Sequence, residues 1–489
     1  MTTSTLTTQS HALPSANLAA RLMTVQEISG IEADILSELS DFIANAPDEA
    51  LFRANPYRYA SHMGLADRRA LDLFLYATHV GIFDINFGVL CPGCGAFITS
   101  PGGLRTLTAH SFCHLCRTDV NVSVDDGVEV AFTIAPAVRR IRFHSHDTLE
   151  LERDWQTLLF TKNRIPAPEF LDNVDLLNIR LGQLRDGETV NMDLTLEAGG
   201  YLISIPRHHT STHFEISGDS AESLLTFDVF DGRIVPENPT AAPGNVHITI
   251  RNRTGHDILY GVLRDPKRIF PMLPDGDMSG MAHYFQWLPY VTGKQVAMSQ
   301  VFRELFRSES IPSDLGLEFK SVTFLFSDLK GSTALYDRIG DLQAYQLVRE
   351  HFRLLRDIIA ELGGAVVKTM GDAVMATFPH PLPALEAAIL MNREIGKLGA
   401  EEGLILKIGL HSGPCIAVES NERLDYFGQS VNIAARVGSV AGPGEIVITN
   451  SVYECPGASE ALRSAALVAA QERTTLRGVG QETTFYRLS

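Results

Sequence analysis

The sequence predicts a multidomain α+β protein, and three observations carry that reading. A chain of 489 residues exceeds the size of one ordinary domain. Its apolar periodicity changes twice. It is helical near residues 26–80, falls into short alternating runs between 120 and 265, and becomes a strand–helix–strand order from Leu317 onward. Two CxxC pairs punctuate the first change. Hydrophobic residues make up 45% of the chain, enough for each part to bury a core.

Residues 1–25 read as a disordered tail without the compact apolar segment of a signal peptide. Residues 26–145 read as a helical region containing a ribbon at 91–116. Ile28, Ile31, Ile35, Leu39 and Phe42 recur at helical spacing, and a second helix follows Asp67. The segment NVSVDDGVEVAFTI is expected to form a hairpin around Asp125, Asp126 and Gly127. Residues 146–270 are expected to form an antiparallel β-sandwich-like domain. Residues 271–317 form a connector with a short helix in AMSQVFRELF.

Residues 318–489 make the last α+β domain. SVTFLF is a strand, and DLQAYQLVREHFRLLRDIIAEL a long helix ended by Gly363 and Gly364. AVVKT and AVMATF form a hairpin turning at Met370, Gly371 and Asp372. PALEAAILMNREIGKL is a helix, LILKIGLHSG and PCIAVES a second hairpin, QSVNIAARVGSV a helix, and GEIVITN a strand.

A net charge of −17 and a pI near 5.4 argue against a nucleic-acid binder. The most apolar stretch, ALDLFLYATHVGIFDINFGVL, contains Asp72, His79 and Asp84, so no membrane span is expected. Six cysteines, four of them in CxxC pairs, suit a metal site in a reducing compartment, and a cytoplasmic protein is expected. Cys91, Cys94, Cys113 and Cys116 have the spacing of a zinc ribbon, four thiolates closing a structural site around one Zn²⁺ per chain.

The last domain carries the chemistry. Asp328 in FLFSDLKGST and Asp372 in VVKTMGDAVMATF each lie at the end of an apolar run beside glycine, where two carboxylates can hold two hard divalent cations. Gly331, Ser332 and Thr333 follow Asp328, where backbone N–H groups can cradle phosphate. Lys368 and Asp372, four apart, are expected on one strand face. Asn432 and Arg436 stand i and i+4 on one helix face. Singly, these groups fit an N-cap, a surface ion pair or the wet face of a helix as well or better.

Together, FLFSDLKGST, VVKTMGDAVMATF and LDYFGQSVNIAAR resemble the signature segments of the class III nucleotidyl cyclases. The resemblance covers about residues 318–489 and implies a ferredoxin-like catalytic domain working as a head-to-tail homodimer. It implies that Asp328 and Asp372 bind two Mg²⁺ or Mn²⁺ ions, that Lys368 and Asp425 read the purine edge, that Asn432 orients the ribose and that Arg436 stabilises the α-phosphate. Arg477 in TTLRGVGQETTFYRL stands where the family usually has a lysine for the terminal phosphates. Guanylyl cyclases show Glu and Cys at the two purine-reading positions, so Lys368 and Asp425 imply ATP as substrate and cyclic AMP as product. A guanylate or relaxed-specificity cyclase, or a nucleotide-sensing zinc-containing interaction protein, is the alternative. The first part of the chain resembles an uncharacterised region ahead of some bacterial cyclase domains. It leaves room for a regulatory ligand or protein partner.

Overall fold

A computed structural model describes residues 16–99, 107, 110–115, 118–168, 175–220, 222–266, 285–306, 317–331, 337–398, 404–420, 423–477 and 482–489. Backbone proximity divides the chain into two compact units. One comprises residues 1–103, 110–122 and 127–291, the other residues 104–109, 123–126 and 292–489.

The first unit opens with helices Ala16–Ser29, Ala33–Asn45, Pro56–Met63 and Asp67–His79. The expected tail is thus corrected from Ala16 onward. Leu18, Leu22 and Val25, spaced i, i+4, i+7, are buried and draw this segment into helix, while residues 1–15 lie outside the described residues. Gly30, at φ +68°, ends the first helix, so Ile28 and Phe42 do not share one continuous helical face. Asn55 caps the third of these helices by accepting from Tyr57 N, with Pro56 in the first turn. Phe74 anchors this layer, its ring against Tyr59, Phe83 and Phe132.

Strand Phe83–Leu90 pairs antiparallel with Val128–Ile134, in register from Phe83↔Ile134 to Val89↔Val128. The expected hairpin at 125–127 therefore does not form. Thr118–Asn121 pairs instead with His110–Cys113, and Val128–Ile134 takes the longer partner. Beyond this lie a five-stranded and a four-stranded sheet. They share one core, in which Ile203, Phe214 and Val262 of one sheet meet Phe227 and Ile248 of the other. Two of their strand pairings are parallel, Thr210–Ile216 with Thr240–Ala241 and Leu224–Phe230 with Gly244–Asn252.

The second unit is built on one sheet. Its order is Ala365–Met370, Ala373–Phe378, Leu317–Lys330, Ile405–Ser420, Ile446–Thr449, Glu482–Leu488, Ala469–Thr475, with Arg423–Phe427 paired to Ile405–Ser420. Alternation along Ile446–Thr449 shows how both faces are used. Ile446 and Ile448 join a core with Leu355, Ile359, Ala388 and Met391 of helices Asp341–Glu361 and Pro381–Leu398. Val447 joins a smaller core with Val437 and Ala441 at the end of helix Gln429–Val440. The second hairpin expected here is corrected. Residues 405–420 are one strand, and Gly413 and Pro414 do not break it. The short segment 123–126 belongs to this unit. The half-buried Asp125 accepts from Lys294 Nζ at 2.9 Å and from Lys320 N at 2.8 Å, and Lys320 N lies in the bulge between Phe319 and Val322.

Among the described residues no helix is long and apolar enough to cross a membrane.

Candidate active site

Asp328 sits two residues from the end of strand Leu317–Lys330, opposite Lys407. Its neighbours Ser327 and Leu329 turn inward, so alternation leaves Asp328 exposed. Asp372 lies in the tight turn between Ala365–Met370 and Ala373–Phe378. Gly371 there takes φ +66°, the left-handed region glycine enters freely. Asp328 feels the charge of Asp372. Partial burial, and then the charge of Asp372, hold the Asp328 carboxyl above its ordinary pKa, while Lys407 opposes the shift. Behind them His351 is fully buried on the long helix, its pKa pushed down to about 4 by burial, with Asp372 pulling the other way.

Lys368 and Asp372 do not share a strand face as expected. Asp372 is a turn residue, and the register shifts between Val366 and Lys368, which breaks the two-residue parity. Lys368 instead reaches Asp425, with Nζ donating to Oδ2 at 2.6 Å. Tyr426 N donates to the other carboxylate oxygen at 2.9 Å. The ammonium side is 43% exposed and the carboxylate 12%, so the pair presents an open lysine over a sheltered acid.

The connector grips both strands of this pair. Gln300 Oε1 accepts from Val366 N at 2.8 Å, two residues before Lys368. Arg303 Nη2 donates to Leu424 O at 2.6 Å, one residue before Asp425. Sequence reasoning identified this helix, Gln300–Leu305, but not these contacts. The only available signal was the pair of long polar side chains at i and i+3.

Asn432 and Arg436 stand in solvent on helix Gln429–Val440, because Ser430, Ala434 and Val437 take the inward face. That helix is seated by glycines. A Cβ on Gly409 would lie 2.1 Å from Gly438 N. Ser430 Oγ also donates to Pro414 O at 2.7 Å. Gly331 is exposed at φ +80°, while Ser332 and Thr333 lie outside the described residues. Arg477 is exposed just past strand Ala469–Thr475. Among the described residues, no hydrogen bond or ion pair joins Asp328 and Asp372 to Lys368 and Asp425, or either pair to Asn432, Arg436 or Arg477.

In the first unit, Cys91, Cys94 and Cys113 are buried with their sulfurs all within 4.8 Å of one another. Cys94 and Cys113 are 3.9 Å apart. Cys116 lies outside the described residues.

Comparison with known proteins also divides the chain in two. A family model described as "Adenylate and Guanylate cyclase catalytic domain" matches residues 317–488. Another, "Family of unknown function (DUF5939)", matches residues 17–304. The chain is similar to a receptor-type adenylate cyclase of Trypanosoma brucei brucei, 28% identical over 209 residues, covering 34% of this chain and 17% of that protein. It is also similar to retinal guanylyl cyclase 1 of Homo sapiens, 32% identical over 183 residues, covering 34% of this chain and 16% of that protein. The chain thus spans under a fifth of either relative. Among solved structures, the adenylyl cyclase CyaB from P. aeruginosa aligns at 22% identity and TM-score 0.31, over 36% of this chain and 95% of that one.

Proposed function

Because the chain belongs through residues 17–304 to the DUF5939 family, and its residues 317–488 are a class III nucleotidyl cyclase catalytic domain, we propose that it converts ATP to 3′,5′-cyclic AMP and pyrophosphate. The observation that carries the substrate is the Lys368–Asp425 pair at 2.6 Å. An ammonium donates to adenine N1 and a carboxylate accepts from the N6 amine, whereas guanine reverses donor and acceptor at both positions. A polar group left mispaired there costs about 1–3 kcal/mol. Adenine enters by exchanging the ammonium–carboxylate contact for one contact with each.

Asp328 and Asp372 are the ligands for two Mg²⁺ or Mn²⁺ ions. A carboxylate whose proton affinity is raised by partial burial and by a second carboxylate beside it, as Asp328 is by Asp372, belongs to a donor set that a hard cation relieves. When bound, such ions polarise the polyphosphate and favour the ribose 3′ hydroxyl as nucleophile and pyrophosphate as leaving group. Asn432 orients the ribose, and Arg436 meets the charge that builds on the α-phosphate. Arg477 takes the terminal phosphates, and the N–H groups of Gly331, Ser332 and Thr333 cradle them. The solvent exposure of Asn432 and Arg436, without contact to the acidic pair, supports a site completed by a second copy of the chain.

One structural Zn²⁺ per chain is part of the same reading. Four thiolates at about 2.3 Å around a tetrahedral zinc set their sulfurs roughly 3.8 Å apart. The Cys94–Cys113 separation of 3.9 Å fits that geometry, and Cys91 and Cys116 complete the set. Elemental analysis of the purified protein should give about one zinc per chain, and metal-free protein that stays folded would remove this part.

Regulation by the first unit would act through helix Gln300–Leu305, whose Gln300 and Arg303 hold the strands of the base-reading pair. The experiment for the main reading is product analysis with Mn²⁺ and, separately, ATP and GTP. Cyclic AMP from ATP alone supports it. Cyclic GMP at a comparable rate assigns a relaxed or guanylate cyclase, and no cyclic product from a folded dimer assigns a nucleotide sensor.

A further inference from the structure

The first unit contains a cavity of about 820 Å³ beneath helices Ala33–Asn45, Asp48–Leu51 and Pro56–Met63, within the range of small-molecule sites. Its walls are mostly apolar, with Phe42, Ala46, Pro47 and Met63 among them. Three cations border it: Arg53, Arg58 and Lys162. Arg53 is committed, donating to the carbonyls of Thr157 and Leu158 from a backbone at φ +45° that a non-glycine residue seldom holds. Lys162 donates to Glu49 O at 2.6 Å and to Phe52 O, which leaves one of its three N–H groups. Arg58 has no carboxylate within ion-pair reach among the described residues.

Three carboxylates, Glu38, Asp41 and Glu49, line the cavity as well. Lys162 feels Glu129, Arg58, Arg53 and Glu49, and burial with the two guanidiniums nearby pushes its pKa down to about 7. Glu49 is itself engaged by Arg142. The charge of Glu38 is felt by Tyr59. Tyr59 is 4% exposed, lines the cavity, and its buried hydroxyl has no hydrogen-bond partner. A buried phenol without an acceptor is a standing cost that an incoming oxygen removes.

We propose that this cavity binds a small amphipathic anion. A carboxylate or phosphate group would be held by Arg58 and Lys162, with an acceptor oxygen in reach of the Tyr59 hydroxyl and an alkyl or aromatic body against Phe42, Ala46, Pro47 and Met63. Charge-assisted contacts fix the head group, and burial of the apolar body supplies most of the affinity. The site does not depend on the cyclase reading.

The test is displacement of 1-anilinonaphthalene-8-sulfonate from the purified full-length chain by octanoate, octyl phosphate, octanol and octylammonium. At least one of the two anions should displace the dye about tenfold more tightly than octanol or octylammonium. The better of octanoate and octyl phosphate identifies a carboxylate or a phosphate ligand. Arg58→Ala alters an exposed side chain and should erase the anion preference while leaving the circular dichroism spectrum unchanged. Met63→Trp, which fills the cavity, should abolish displacement by the anions. No displacement, equal displacement by all four probes, or an Arg58→Ala chain that keeps the preference would overturn the proposal.

Discussion

In the C-terminal unit most of the groups that carry the proposed chemistry stand outward, the sheltered Asp425 excepted. Asn432, Arg436 and Arg477 are exposed, and Lys368 is 43% exposed. In the N-terminal unit two carboxyl groups are turned inward. Glu129 is 2% exposed and Asp154 1% exposed. Asp154 is held by Arg142 through bonds of 3.0 and 3.1 Å and by Arg153 at 3.1 Å. Burial works against the Asp154 charge, and the two guanidiniums outweigh it, so its carboxyl stays below the ordinary range. An inward charge must be neutralised by its own chain, whereas an outward one is free to meet a ligand or a second chain. The contrast separates charge used for architecture from charge held for encounter.

The largest effect that tests this contrast is on stability. Asp154→Ala leaves Arg142 without its buried partner and should cost about 3–5 kcal/mol, read as a lowered midpoint in urea. A midpoint shift no greater than that of an exposed carboxylate such as Glu361→Ala would erase the distinction. Next, Arg436→Ala should leave stability unchanged and lower kcat by about 10²–10³-fold. Asp372→Asn should be similarly inactive. Mixed one to one with Arg436→Ala, it should recover about a quarter of the wild-type rate, since half the dimers are mixed and each of those keeps one intact site. Mixed dimers without activity would rule out a site shared between chains.

A smaller effect concerns pH. His351 is fully buried with its pKa lowered from 6.5 to about 4. The unfolded chain therefore binds the extra proton first, so stability present above pH 6.5 is lost as pH falls toward 4. At pH 5 the loss is about 2 kcal/mol. His351→Phe should flatten the dependence of the melting temperature between pH 7 and 5, and an unchanged slope would contradict the assignment. The smallest effect is at the connector. Gln300→Ala frees Val366 N and should raise KM for ATP several-fold, a change of about 1 kcal/mol, with kcat nearly constant. Identical kinetics would remove this helix as the proposed route from the first unit to the Lys368–Asp425 pair.

The catalytic unit was legible where local pattern and fold agree. Helices such as Asp341–Glu361 announce their buried faces, and the turn at Gly371 its glycine. It was illegible where a distant contact overrides the pattern. Gly413 and Pro414 look like a turn, yet the chain runs straight through them. Gly413 pairs with Val322 and makes room for Ser430, whose hydroxyl bonds Pro414 O. Likewise the parity of Lys368 and Asp372 failed at a bulge that no periodicity reveals. The pairing of Lys368 with Asp425, separated by 57 positions, is tertiary and was accessible only through the resemblance to a family. In the N-terminal unit the cavity had no signature at all, since Arg58, Tyr59 and Lys162 are ordinary residues until folding gathers them.

The segment 123–126 has a consequence for how this protein can be divided. Asp125 satisfies Lys294 and a bulged N–H at the start of the catalytic strand, although nearly two hundred positions separate Asp125 from Lys320. The boundary between the two family matches, at residues 304 and 317, is therefore not the boundary of the folded unit. A gene fusion or recombination that joined a foreign sensor at residue 317 would inherit every side chain of the proposed active site yet discard Asp125, the acceptor for the bulge. Such a chimera would need a new acid at that edge before its catalytic strand had the same footing.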